Sequence, residues 1–81
     1  MSVTRLKLYS RGNCRLCEEM LEALMPLLAG KAELDVVDID GDPGLEREYG
    51  IRIPVLKSGD VELSVYRLDK ERVERYLAGG E

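Results

Sequence analysis

Hydrophobic and polar positions alternate with two different periods along the chain, and this predicts strands and helices in turn. Residues 3–9 repeat every second position, with Leu6 and Leu8 on one face and charged side chains opposite, as in a half-buried strand. Apolar residues from Leu16 to Leu28 then recur at helical spacing. Continued to the end, the pattern predicts the order β-α-β-α-β-β-α, with elements over residues 3–9, 14–29, 33–39, 43–49, 51–56, 61–65 and 70–78.

Two prolines interrupt these patterns. Pro26 lies inside the predicted first helix, so we expect a kink near Glu22 or an early end, because an interior proline removes a hydrogen bond and costs about 3 kcal/mol. Pro54 lies inside a strand-like run, where a proline cannot donate to the ladder. Since only about 5–6% of X-Pro bonds in folded proteins are cis, these residues alone predict a trans Ile53-Pro54 bond near a strand end.

The chain has two cysteines, Cys14 and Cys17, and both lie where the first strand turns into the first helix. Asn13 suits the N-cap of that helix, because its side-chain oxygen can accept an amide of the first turn. The helix start is electropositive and Arg11 and Arg15 add formal charge, which favours a thiolate at Cys14. We therefore predict that Cys14 is the attacking cysteine. Its pKa is expected to be lowered only moderately, because Glu18 and Glu19 follow directly and their negative charge opposes a nearby thiolate. Cys17, one turn further along, is predicted to be more buried and to resolve the mixed disulfide.

Composition limits the partners and the compartment. The formal net charge is -4 and the sequence pI is about 4.9, with the basic residues spread along the chain, so we expect neither nucleic acid nor an anionic membrane as a partner. No apolar run approaches the roughly 18 residues of a membrane span, and the N-terminus lacks the apolar core of a signal peptide. We expect a single domain over residues 1–81, monomeric and cytoplasmic. In that compartment a CxxC pair is typical of redox or metal sites.

Three motifs together resemble a known family. They are Tyr-Ser-Arg-x-x-Cys-x-x-Cys-Glu-Glu at residues 9–19, Val-Asp-Ile-Asp at residues 37–40 and Ile-Pro-Val at residues 53–55. With the predicted element order, they make the chain similar to short bacterial glutaredoxin-like proteins over nearly its whole length. The resemblance implies an α/β structure with the thioredoxin fold in its minimal form, built on a four-stranded mixed sheet.

The resemblance also implies a substrate site around the two cysteines. In the family a cis proline, here Pro54, packs against them, and the backbone of the preceding residue, here Ile53, pairs with the substrate. Arg11 stands where glutaredoxins carry a basic residue that contacts the glycyl carboxylate of glutathione, and Arg15 is a further candidate for substrate binding. The chain departs from the family in two places. The two residues between the cysteines are not the common Pro-Tyr, and bulky residues around Tyr66 replace a Gly-Gly pair near the γ-glutamyl end of glutathione.

Thiol-disulfide exchange is the function that follows from these motifs. We predict an oxidoreductase that reduces protein disulfides or glutathione mixed disulfides through a mixed disulfide on Cys14, with no bound cofactor and no metal. Its electrons come from glutathione or from a flavoprotein thioredoxin reductase, and the sequence leaves both open. One alternative is a thioredoxin-like adaptor domain without turnover. Another is a metal-binding module, which is disfavoured because a tetrahedral zinc site needs four ligands and the chain offers two thiols and no histidine.

Overall fold

The computed structural model describes residues 4–79, which contain four strands and three helices. The elements are β1 (Thr4–Ser10), α1 (Arg15–Leu28), β2 (Ala32–Asp38), α2 (Pro43–Tyr49), β3 (Val55–Ser58), β4 (Val61–Val65) and α3 (Lys70–Leu77). The sheet is mixed and has the strand order β2-β1-β3-β4. The predicted order and the α/β class are therefore confirmed. Val3, the predicted start of the first strand, lies outside the described residues. Within residues 4–79 no helix is long and apolar enough to cross a membrane.

The pairings of β1 bring two loops to one edge of the sheet. β1 runs parallel to β2 and antiparallel to β3, with Tyr9 opposite Val55. The C-terminal end of β1 therefore meets the N-terminal end of β3. As a result, the loop that carries the cysteines and the loop that carries Ile53-Pro54 leave the sheet at the same edge. β4 completes the sheet by pairing antiparallel with β3.

Burial in β1 follows the alternation in its sequence. Leu6 and Leu8 are 0% and 1% exposed, and they pack against the buried side of α1 and against Val73 of α3. Full burial of such a side chain contributes about 1.5–3 kcal/mol, so this face of the sheet holds the main core. α1 is fixed to this face by its apolar stripe, and its N-terminus is thereby held at the edge where β1 ends.

The opposite face carries a smaller core under α2. Tyr49 of α2 packs with Ile39 and Val55, and its ring stacks on Tyr9 with 4.1 Å between the ring centroids. The ammonium group of Lys57 donates to the Tyr49 hydroxyl at 3.1 Å, and this bond raises the pKa of Lys57. Burial, with a further contribution from Tyr49, raises the pKa of Tyr9. The two aromatic rings therefore tie α2 to the central strand.

α1 continues through Pro26, so of the two predicted alternatives the early end is wrong, and the kink near Glu22 stays a prediction. Pro26 lies in the last turns of the helix, where its missing N–H leaves the Glu22 carbonyl without its helical partner. Leu24 and Leu28, on either side of it, are 0% and 4% exposed, and their burial against the sheet keeps the helix intact. Gly30, with φ 74°, follows the end of the helix in the left-handed conformation that glycine adopts without cost.

β3 begins at Val55, four residues later than the predicted start at 51. The N–H groups of Arg52 and Ile53 both donate to the Tyr49 carbonyl, at 2.8 and 3.1 Å, so this segment extends the end of α2 instead of joining the sheet. The Ile53-Pro54 peptide bond is cis, and the trans prediction from the residues alone is wrong. That prediction rested on the frequency of the two isomers, which carries no information about the tertiary setting. The cis form is the one that the family resemblance implied.

Candidate active site

The loop between β1 and α1 places Cys14 at the start of the helix. Cys14 has extended backbone angles, φ -111° and ψ 104°, and its sulfur accepts the N–H of Cys17 at 3.1 Å, so it is the N-cap. The prediction that Asn13 is the N-cap is therefore wrong. Asn13 instead takes the left-handed conformation, with φ 56°, which asparagine tolerates better than most residues. This bend comes one residue before the helix cap, and the sulfur of Cys14 takes the capping position.

Cys14 and Cys17 form a disulfide whose two residues differ in exposure. Their Cα atoms are 5.2 Å apart, inside the usual range of about 4.4–6.8 Å. Cys17 is 4% exposed, because it belongs to the buried stripe of α1 that continues through Met20 and Leu24. Cys14 is half-buried. A reagent from solvent therefore reaches Cys14 first, as the position of Cys17 one turn into the helix predicts.

Ile53 and Pro54 lie at the same edge of the sheet as the disulfide. Pro54 is buried, and its carbonyl accepts the N–H of Tyr66 at 2.8 Å. The N–H of Ile53 is already bonded to the Tyr49 carbonyl, at 3.1 Å. A substrate backbone that pairs with Ile53 therefore uses its carbonyl or displaces the bond to Tyr49.

The two arginines near Cys14 have separate carboxylate partners. Nε of Arg11 lies 3.3 Å from Oδ1 of Asp40 and is buried, with no hydrogen-bond partner among the described residues. Nε of Arg15 lies 3.4 Å from Oε2 of Glu19, one turn along α1, and the Arg15 side chain is 89% exposed. Ion pairs between exposed side chains contribute about 0.2–1 kcal/mol, so exchanging Glu19 for a carboxylate on a substrate costs little, whereas the Arg11–Asp40 pair is only partly exposed.

A groove beside the disulfide is formed by residues that the sequence analysis did not assign to the site. This side groove has a volume of about 300 Å³ and lies between α1 and the connection from β4 to α3. It is lined by Leu16, Glu19, Met20, Tyr66, Arg67 and Leu68. Leu16 lies between the two cysteines in the sequence, and the backbone N–H of Tyr66 donates to the Pro54 carbonyl. The groove is therefore linked through its lining residues to the disulfide loop and to the cis-proline loop. The one signal in the sequence is the bulk of Tyr66 where the family has a Gly-Gly pair.

Comparison with known proteins identifies the family. Residues 5–78 match the family described as "Glutaredoxin-like domain (DUF836)". The chain belongs to this glutaredoxin-like family. Uncharacterized proteins of Mycobacterium tuberculosis and Mycobacterium bovis are 30% identical to it over 84 residues, which cover 96% of this chain and 87% of each relative.

Solved structures support the fold. Protein Ne2328 from Nitrosomonas europaea, solved by solution NMR, is 39% identical and has a TM-score of 0.81, with 94% of this chain and 93% of that chain covered. Protein XcR50 from X. campestris, solved by X-ray, is 35% identical with a TM-score of 0.74, covering 94% and 99% of the two chains. Thioredoxin 1 from Thermosipho africanus is 15% identical with a TM-score of 0.61 over 91% and 94% of the two chains, and this likeness shows the thioredoxin fold alone.

The glutaredoxin-like site has a chemical asymmetry that suits thiol-disulfide exchange. One sulfur faces the edge of the sheet at a helix N-terminus, and the second is buried directly behind it. Exchange needs an accessible attacking thiolate and a second thiol within reach of the mixed disulfide. Within residues 4–79, no three side chains of the metal-ligating types His, Cys, Asp and Glu cluster together.

Proposed function

We propose that this glutaredoxin-like protein is a thiol-disulfide oxidoreductase whose dithiol form reduces disulfides. The observation that carries the proposal is the Cys14–Cys17 disulfide at the start of α1, with Cys14 half-buried and Cys17 4% exposed. In such a pair the more exposed sulfur attacks the substrate disulfide, and the buried sulfur then attacks the mixed disulfide. Cys14 is accordingly the nucleophile, and Cys17 is the resolving cysteine.

The reaction has two exchange steps. The Cys14 thiolate attacks one sulfur of the substrate disulfide, a bond forms between them, and the other substrate sulfur leaves as a thiolate that takes a proton from solvent. The Cys17 thiolate then attacks the sulfur of Cys14, which closes the protein disulfide and releases the second substrate thiolate. The substrate gains two electrons and the protein loses two.

The geometry of the helix start supports Cys14 as the attacking residue. The N–H of Cys17 points at the Cys14 sulfur, and the partial positive charge of the α1 N-terminus lies at the same place. Both stabilise a thiolate more than a thiol, because each interacts favourably with negative charge. Arg11 and Arg15 flank this position in the sequence, but Asp40 and Glu19 pair with them, so the helix N-terminus and the Cys17 N–H are the main groups that favour the thiolate.

Protein disulfides and glutathione mixed disulfides are the substrate class that we propose, together with glutathione or a flavoprotein thioredoxin reductase as the electron donor that restores the dithiol. Arg11 supports glutathione, because it stands where glutaredoxins contact the glycyl carboxylate. Tyr66 supports protein disulfides, because its side chain lies where glutaredoxins leave room with glycine.

Trapping of the first intermediate tests the proposal. Reduced Cys17→Ser protein, mixed with glutathione disulfide or with a peptide disulfide, is expected to gain the mass of one substrate half on Cys14, because no second thiol releases it. Reduced Cys14→Ser protein is the matched control, and it is expected to stay largely unmodified because Cys17 is buried. Adducts that form equally fast on both variants, or on neither, would contradict the proposed roles.

A further inference from the structure

The side groove, which is lined by Leu16 from between the two cysteines, presents an aromatic side chain to solvent. Tyr66 is 49% exposed, and Leu16, which stands between the two cysteines, is half-buried on the opposite wall. The Arg67 guanidinium lies 6.0 Å from the centre of the Tyr66 ring. Large aromatic side chains usually contribute most when they are buried, so this exposed ring is available to a ligand.

Tyr66 also holds a backbone conformation that tyrosine rarely adopts. Its φ is 70°, in the left-handed region where a bulky side chain is disfavoured and glycine is not. The turn is held by the bond from the Tyr66 N–H to the Pro54 carbonyl and by the bond from the Arg67 N–H to the Val65 carbonyl, at 2.8 and 2.7 Å. Strained residues of this kind cluster at binding sites, where the side chain is needed at that place.

We propose that Tyr66 and Leu16 form a specificity site for peptide disulfides that carry an apolar or aromatic side chain next to the reacting cysteine. The inference rests on the proposed function, because it names the substrate class of the same disulfide site. Tyr66 is a binding residue in this account and takes no part in the exchange of electrons.

The occupant follows from the reach of the substrate chain. A substrate sulfur bonded to Cys14 fixes its own cysteine at the edge of the sheet, and the next residue along an extended chain lies about 3.3–3.6 Å further on. Leu16, two residues after Cys14, lines the side groove, so we expect the side chain next to the substrate cysteine to enter this groove. At about 300 Å³ the groove is at the small end of ligand sites, which span about 300–1,000 Å³. This size suits one bulky side chain better than a whole small molecule.

Four of the six residues that line the side groove offer apolar or aromatic surface to a substrate side chain. Leu16, Met20 and Leu68 present aliphatic surface, and the Tyr66 ring presents an aromatic face. Two charged side chains also line the groove: the Glu19 carboxylate is paired with Arg15, and the Arg67 guanidinium lies 6.0 Å from the centre of the Tyr66 ring. Glutathione has a glycine and a γ-glutamyl link beside its cysteine, and neither carries an apolar side chain. The groove therefore distinguishes peptide disulfides from glutathione disulfide.

A single-turnover assay tests the inference. Protein reduced beforehand and freed of reductant is mixed with one of four disulfides: the symmetrical disulfides of acetyl-Phe-Cys-Gly amide, acetyl-Gly-Cys-Phe amide and acetyl-Gly-Cys-Gly amide, and glutathione disulfide. The second-order rate constant is read from the loss of free protein thiols by alkylation and intact mass. We expect at least one phenylalanine peptide to react about 10-fold faster than the glycine peptide, because filling an apolar pocket changes specificity by about 10- to 200-fold.

The variants assign the preference to Tyr66. Tyr66→Gly and Tyr66→Asn both suit a positive φ and should fold, which circular dichroism checks. Each should lower the ratio of the phenylalanine-peptide rate constant to the glycine-peptide rate constant to about 2-fold or less, whereas Tyr66→Phe should keep the wild-type ratio. Met25→Ala is the matched control, since Met25 is also an exposed apolar residue, at 56%, but lines a different groove, against β2. It should leave the preference unchanged.

The outcomes separate this inference from the proposed function. Wild-type protein that reacts with none of the four disulfides would overturn both. Wild-type protein that reacts with all four at similar rates would overturn only the specificity site. A preference that survives in Tyr66→Gly and Tyr66→Asn would also overturn it, since the selecting surface would then lie elsewhere.

Discussion

The backbone N–H of Cys17 donates to the sulfur of Cys14 across 3.1 Å, so the sulfur of the attacking cysteine is also the N-cap of α1. In the reduced protein this bond and the positive end of α1 should lower the pKa of the Cys14 thiol below that of a free cysteine. We expect iodoacetamide to modify Cys14 at least about 10-fold faster than Cys17 at pH 7, with the rate rising as pH passes through the lowered pKa. Mass spectrometry of the alkylated peptides measures both rates. Faster modification of Cys17 would contradict the assignment.

The Arg11–Asp40 ion pair should limit the reaction with glutathione disulfide. Asp40→Asn frees the Arg11 guanidinium to meet a substrate carboxylate, and we expect the rate constant to rise about two- to five-fold, the range that an exposed pair of about 0.5–1 kcal/mol allows. Arg11→Gln should lower the rate by a similar factor. Glu33→Gln is the matched control, because it removes one negative charge from an ion pair with Arg5, outside the candidate site. Equal effects of the Asp40 and Glu33 changes would indicate only a general effect of net charge.

The backbone conformation of Tyr66 gives a stability prediction that is independent of substrate. Tyr66→Gly and Tyr66→Ala remove the same packing, but at φ 70° alanine retains the cost of a Cβ and glycine does not. Tyr66→Gly should therefore have a free energy of unfolding about 1 kcal/mol greater than that of Tyr66→Ala. At Val65, in the extended β4, the order should reverse, because glycine weakens a strand. Urea denaturation of the four variants measures both differences.

Alkaline pH should destabilise the oxidised protein through Tyr9 and Lys57. Burial raises the pKa of Tyr9 above its ordinary 10.0, and the bond to the Tyr49 hydroxyl raises the pKa of Lys57 above 10.5. Both shifts favour the protonated group in the folded state. Their contribution is fully present below the ordinary pKa values and is lost as pH rises through the raised ones. The midpoint of urea unfolding should therefore fall above about pH 10.

Replacement of Tyr9 isolates its share of this pH effect. In Tyr9→Phe the stacked ring remains while the ionisable hydroxyl is gone, so the fall in the unfolding midpoint above about pH 10 should be shallower than in the wild type. An equally steep fall would mean that Tyr9 contributes nothing to the pH dependence.

Local signals in the sequence predict the elements that local chemistry controls. α2 is found over the predicted residues, because Asp42 caps it by accepting the N–H groups of Gly44 and Leu45, Pro43 fits its first position and Gly50 follows its end. The start of β3 was missed because the N–H groups of residues 52 and 53 bond to the end of α2. Whether these N–H groups bond to the end of α2 or to a neighbouring strand depends on how α2 packs on the sheet. The alternation of apolar residues carries no information about that packing.

In the candidate site, too, local motifs predict some features, whereas features that depend on packing between elements are missed. The cysteine pair and the edge position of Pro54 follow from motifs, and the structure brings them to one end of the sheet. The sequence assigns the cap to Asn13 because asparagine is a preferred N-cap and cysteine is not, and only the backbone angles show that Cys14 takes this position. The side groove could not be predicted, since Leu16 and Tyr66 are far apart in the sequence and meet only through packing of α1 beside the β4–α3 connection.

The central claim is that Cys14 and Cys17 cycle between dithiol and disulfide, and a redox titration tests it most directly. The protein is equilibrated in glutathione buffers of graded ratio, free thiols are trapped by alkylation, and intact mass reports the number of thiols. We expect one reversible two-thiol transition at a potential between about -120 and -270 mV, the range of known dithiol catalysts. A pair that stays oxidised, or that never forms a disulfide, across that range would contradict the account.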